Sequence, residues 1–108
     1  MTTSQPRARL PNRHPAETFE LTVAGLRYTA TVGRFADGRV GEIFLTNHKT
    51  NSAADSAARD SAIVFSIAVQ SGADVESIRK ALCRDGRGRA SGPLGAVLDL
   101  LAKEERGL

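Results

Sequence analysis

The sequence predicts an α+β domain: a three-stranded antiparallel meander packed on one long central helix, followed by two shorter helices. Three observations carry this. Residues 17–46 alternate apolar and polar side chains in the period of a half-buried strand, interrupted by turn signals at Ala24-Gly25 and Asp37-Gly38. The polar stretch NHKTNS then opens onto the most apolar run of the chain, whose length and Ala-rich start suit a helix. Helical spacing of apolar residues returns twice before the C-terminus.

The chain begins with a basic tail, 1–16, expected to be extended or disordered. Pro6, Pro11 and Pro15 sit among Arg, Ser, Thr and Gln, with Leu10 the one large apolar residue after Met1 and the candidate anchor. A single domain over 17–108 follows. Its first strand places Phe19, Leu21 and Val23 on one face, and its second Leu26, Tyr28, Ala30 and Val32, with Ala24-Gly25 as the hairpin turn. The third strand reads VGEIFLT. Its triplet Ile43-Phe44-Leu45 suggests cover on both faces or a central position, with Glu42 turned to solvent or paired with an Arg.

The long helix is expected over 52–71, capped by Asn51 or Ser52 and stopped at Gly72. Asp55, Arg59, Asp60 and Ser66 fall roughly opposite its apolar residues, and Ile63 to Val69, apolar nearly all round, suggests burial on several faces. Asp74 caps the next helix, which carries Val75, Ile78, Ala81 and Leu82 on one face, and Cys83 reads as a small core residue. After the loop RDGRGRASG, Pro93 opens a last helix with a stripe of Leu94, Val97, Leu98 and Leu101.

Composition narrows the function classes. A single Cys excludes an internal disulfide and a Cys-rich metal site and fits a reducing compartment, with the cytoplasm the default. No apolar run approaches the ~20 residues of a membrane span, and the N-terminus has no apolar core of a secretory signal. His14 and His48 are separated by the whole sheet, so no metal site is expected. No nucleophile-and-base arrangement marks a catalytic centre.

Two places can hold an anion. One is the loop His48, Lys49, Thr50 and Ser52 at the start of the long helix, where free N–H groups, an ammonium and two hydroxyls converge. It is no P-loop, lacking the glycines of that pattern. The other is the late loop with Arg87, Arg89 and Ser91, and the two could form one composite site. A capped structural turn and a solvated loop account for the same residues. Arg7, Arg9 and Arg13 are the candidates for nucleic-acid contact, although no aromatics accompany them.

RLPNR in the tail, the stretch from GLRYTATVGRF through GEIFLTNHKTNS to AVQSGAD, and ALCRDGRGRASGPLGAVLDLL together resemble the TSCPD-domain family. More narrowly, they resemble the region near the C-terminus of adenosylcobalamin-dependent ribonucleotide reductases and short free-standing relatives. The likeness covers about Arg9 to Leu101. The motif Thr-Ser-Cys-Pro-Asp that names the family falls on Ala90-Ser91-Gly92-Pro93-Leu94, so Ser91 and Pro93 match while the Cys and Asp positions are Gly92 and Leu94. No thiol or carboxylate role carries over. The resemblance implies an accessory or regulatory module that is not itself a reductase. Reductases of this kind use adenosylcobalamin through a domain this chain lacks, so no cofactor is expected here. The implied partners are a nucleotide or a reductase subunit. A nucleic-acid-binding protein and a homo-oligomerising interaction module are the alternatives, and no membrane partner is expected.

Overall fold

The structure is a computed structural model that describes residues 6–107. Residues 1–5 of the expected tail and residue 108 of the expected domain lie outside the described residues. Strands β1 (Ala16–Val23), β2 (Leu26–Arg34) and β3 (Val40–Asn47) form one antiparallel sheet in the order β1-β2-β3. Helices α1 (Ala53–Gln70), α2 (Val75–Ala81) and α3 (Pro93–Glu105) follow. This is the expected meander, one long helix and two shorter ones.

The hairpin turn is tighter than glycine alone requires. Ala24 and Gly25 both have positive φ, 51° and 78°, the pair of values that matches the twist of two flanking strands. The register pairs Phe19 with Ala30 and Leu21 with Tyr28, so the inward faces of β1 and β2 share one side. Ile43, Leu45, Leu98, Val32 and Val97 are the largest fully buried side chains, each contributing about 1.5–3 kcal/mol by leaving water. They join the sheet to α3 and to the buried face of α1.

Four expectations about burial are corrected. β3 is an edge strand, and strict alternation sends Phe44 to the open face, 55% exposed, between the inward Ile43 and Leu45. Leu26, at the turn, is exposed as well. In α1 the buried stripe is Asp55, Ala58, Ala62, Phe65, Ser66 and Gln70, while Ile63, Val64 and Ile67 face outward.

The reason is the free edge of β3. A strand edge presents unpaired N–H and C=O groups, and α1 lies along it with its polar residues turned inward. Ser66 Oγ accepts from Ile43 N at 2.9 Å, and its one proton lies within reach of Ala62 O at 2.8 Å and of Ile43 O at 3.1 Å. Gln70 Nε2 donates to Gly41 O at 2.8 Å, and Asp55 Oδ1 accepts from Asn47 N at 2.9 Å. Only hydrogen-bonding side chains can satisfy those groups, so polar residues displaced aliphatic ones from the buried face. Cys83 is likewise exposed rather than in the core, because α2 buries none of its residues fully and the segment after it lies at the surface.

Residues 7–15 lie as a strap over the far end of α1. Ala8 N donates to Gln70 O and Arg7 Nε to Gln70 Oε1, at 2.7 and 2.6 Å. Leu10 packs against Gly41, where an added Cβ would stand 2.8 Å from Leu10 Cδ1. His14 closes the strap: Nδ1 is 2.6 Å from Pro11 O and Nε2 is 2.7 Å from Glu42 Oε1, so Glu42 pairs with a His and not an Arg. The doubly protonated ring can donate to both acceptors. The Pro11 carbonyl first, then the Glu42 carboxylate, raise the His14 pKa above its ordinary 6.5. The folded state then binds the proton more tightly than the unfolded one. This contribution is therefore full below 6.5 and is lost as pH rises through the folded value. Protection of the Ala8 amide, corrected for intrinsic exchange, is expected to fall across that window. In His14→Gln the step is expected to vanish; its survival would assign the step to another group.

Candidate functional site

The NHKTNS loop folds as a self-contained cap. His48 N donates to Arg27 O as a last rung of the sheet, and His48 Nε2 lies 3.1 Å from Thr29 Oγ1 on the open face. Lys49 N donates to Asn47 Oδ1. Ser52 is the N-cap: its Oγ accepts from Asp55 N and donates to Lys49 O. Asp55 supplies the anion for the helix start from within the chain. Its carboxylate accepts from Asn47 N, Asn51 N and Arg59 Nε. The Asn47 N–H first, and then Arg59, hold this carboxyl below the usual carboxylate range. Asn47 N, Lys49 N, Asn51 N, Ser52 N and Asp55 N are engaged within the chain, while Lys49 and Thr50 stand exposed with no side-chain hydrogen bond among the described residues.

The late loop is a second small hairpin, closed by a bridge between Arg84 and Ala90. Asp85 organises it: Oδ1 accepts from Arg87 N and Arg89 N, and Oδ2 from Arg89 Nε at 3.0 Å. Arg84 is structural. It donates to Gly88 O and, through both Nη atoms, to Asp99 at 2.7 Å. Asp99 also accepts from Arg79, which pairs with Glu76 in α2. The carboxyl of Asp99 is held below its usual range by Arg84 and then Arg79, and the clamp ties α2, the hairpin and α3 together.

Between this hairpin, the β1–β2 turn and α3 runs an open groove of about 870 Å³. Leu21, Val23, Ala96 and Leu100 give it apolar walls, and Arg89, Ser91 and Lys103 line it together with the carboxylates of Asp85 and Asp99, which are paired with Arg89 and with Arg79 and Arg84. Lys103 was not among the residues expected here, although its spacing from Ala96 and Leu100 puts all three on one helix face. Arg87 is exposed at the tip of the hairpin and does not line the groove.

The two helix starts do approach each other, but across a different cleft of about 310 Å³ lined by Ala54, Ala57, Leu82, Cys83, Pro93 and their neighbours. It is largely apolar. Neither described cavity is lined by both Lys49 and Arg87. The tail arginines are elsewhere again: Arg7 is held at Gln70, the last residue of α1, while Arg9 and Arg13 are exposed. Among the described residues no group of His, Cys, Asp or Glu is placed to hold a metal ion, and no helix is long and apolar enough to cross a membrane.

A vitamin B12-dependent ribonucleotide reductase of Agrobacterium fabrum is 38% identical over 73 residues, which is 68% of this chain and 6% of that protein. A second, from Bradyrhizobium diazoefficiens, is 33% identical over 70 residues, 65% of this chain and again 6% of the relative. The chain is related to a region of vitamin B12-dependent ribonucleotide reductases. This reductase-related domain therefore matches only about one-sixteenth of the length of those proteins. No family model matches it, and neither does any solved structure.

Proposed function

We propose that this reductase-related domain is a non-catalytic accessory or regulatory module of the TSCPD kind, acting in the cytoplasm. In this reading it binds a nucleotide, or a phosphate-like acidic group of a reductase subunit, in the groove beside α3. The observation that carries it is the convergence of Arg89, Ser91 and Lys103 on one groove with apolar walls, in a chain related to a ribonucleotide reductase region. Lys103, Ser91 and the Nη groups of Arg89, whose Nε is held by Asp85, can donate to a phosphate, and Leu21, Val23 and Leu100 offer an apolar surface to a base. Any cobalamin chemistry belongs to the reductase itself in this reading.

Calorimetric titration with nucleoside di- and triphosphates tests the groove. Saturable binding is expected to weaken as salt rises. The Arg89→Ala/Lys103→Ala double variant is expected to lose affinity at least about tenfold, as loss of two charge-assisted contacts implies. A pull-down with the cell's ribonucleotide reductase tests the protein-partner form. Silence in both experiments, with the circular dichroism of a folded chain, overturns the proposal.

A further inference from the structure

We infer that the outward face of α1 is a self-association surface, and that its occupant is a second copy of this chain related by a two-fold axis. Ile63, Val64 and Ile67 are 52%, 66% and 44% exposed, although they belong to the most apolar stretch of the sequence. The helix cannot bury them against its own sheet, because Asp55, Ser66 and Gln70 occupy that face to satisfy the edge of β3.

The identity of the occupant follows from how the face is shaped. Its C-terminal half is bulky, with Ile63, Val64 and Ile67. Its N-terminal half is small, with Ala53, Ala54 and Ala57, and opens into the apolar cleft of about 310 Å³ against Leu82 and Pro93. Positions 54, 57, 61 and 64 follow the alternating three- and four-residue spacing of one helical stripe, and Ile67 lies beside Val64 on the next row. A two-fold axis crossing α1 between Asp60 and Ser61 lays a second copy antiparallel on the first. Val64 of one copy then meets Ala57 of the other, and Ile67, on the neighbouring row, comes beside Ala53. Bulk faces hollow at both ends of the contact, which is the self-complementarity an isologous interface requires.

Area sets the strength. The three half-exposed aliphatic side chains, with the alanines and the cleft wall, amount to on the order of 500 Å² per copy, at the lower bound for a specific interface. Asp60 lies beside the axis and brings its symmetry mate's carboxylate near, which opposes the contact. Self-association is thus expected in the micromolar range and not as a permanent dimer.

Sedimentation of the full chain between roughly 5 and 500 µM checks this against the affinity expected of so small a contact. The sedimentation coefficient is expected to climb from monomer toward dimer. Val64→Asp, at a position mostly in solvent, is expected to keep its circular dichroism and remain monomeric throughout. Asp60→Asn is expected to tighten the dimer several-fold, a shift opposite in sign that a general loss of solubility would not produce. A strict monomer at the highest concentration overturns the inference. So does a dimer that survives Val64→Asp, or an α1 face that a reductase chain occupies while the free protein stays monomeric.

Discussion

Asp55→Ala is expected to lower the melting temperature by roughly 10 °C or more, the largest effect of any single polar substitution in this domain. Asp55 is 2% exposed and accepts from two backbone N–H groups and one guanidinium. Its removal strips a partner from Asn47 N at the strand edge and from Asn51 N, where the backbone has a positive φ of 62°. It also takes away the carboxylate that complements the positive end of α1. A methyl group replaces none of these, and buried donors left without acceptors are costly.

The same residue fixes an acid limit. Its carboxyl titrates below the ordinary range in the folded state, so the unfolded chain binds the proton more readily. Its contribution is present above the ordinary carboxylate value and is lost as pH falls through the lower, folded one. Asp55→Asn is expected to start less stable at neutral pH and to show a shallower loss in acid. Melting curves from pH 7 to 2 read both effects. An Asp55→Ala variant that melts within about 2 °C of the parent would show that the cap is dispensable.

Asp99→Ala is expected to show the second large effect, and it reaches the groove. Asp99 neutralises Arg79 and Arg84 together, and its loss leaves two guanidinium groups facing each other. The three side chains are part-exposed, so solvent screening moderates the loss of stability. The larger consequence is functional. Arg84 holds Gly88 O, and the hairpin it anchors carries Arg89 and Ser91 into the groove. Asp99 itself lines the groove, and Asp99→Ala is expected to weaken nucleotide binding through the hairpin by more than the loss of its own carboxylate strengthens it. Amide exchange at Ser91, whose N–H donates to Cys83 O, should accelerate in parallel. Unchanged exchange there would separate the clamp from the hairpin and sink this expectation.

The architecture was legible because alternation and helical spacing are local properties. Phe19, Leu21 and Val23, or Leu94, Val97, Leu98 and Leu101, announce their face without reference to any other element. The capping role of Ser52 and the stop at Gly72 were legible for the same reason, since both act within one turn. The orientation of α1 was not. Its amphipathicity runs against the usual rule because its neighbour is a strand edge, whose needs are set by tertiary position. Asp55 and Ser66 read as solvent-facing until the edge of β3 is beside them. The groove was half legible: Arg89 and Ser91 stood out as a basic loop, but only the docking of that loop beside the β1–β2 turn brings in Lys103 from α3. His14 and Glu42 are 28 residues apart in sequence, and nothing local pairs them.

The order of packing has a consequence for how the chain comes into being. β2 lies on β1, β3 on β2, and α1 on β3, so each element meets the one made just before it. The loops to be closed are short, and the entropic cost of each closure is correspondingly small. During synthesis the ribosome need release little beyond Gln70 before Asp55, Ser66 and Gln70 can fasten onto the last strand. The margin most open to pairing with other nascent polypeptides is thus shut before α3 has emerged.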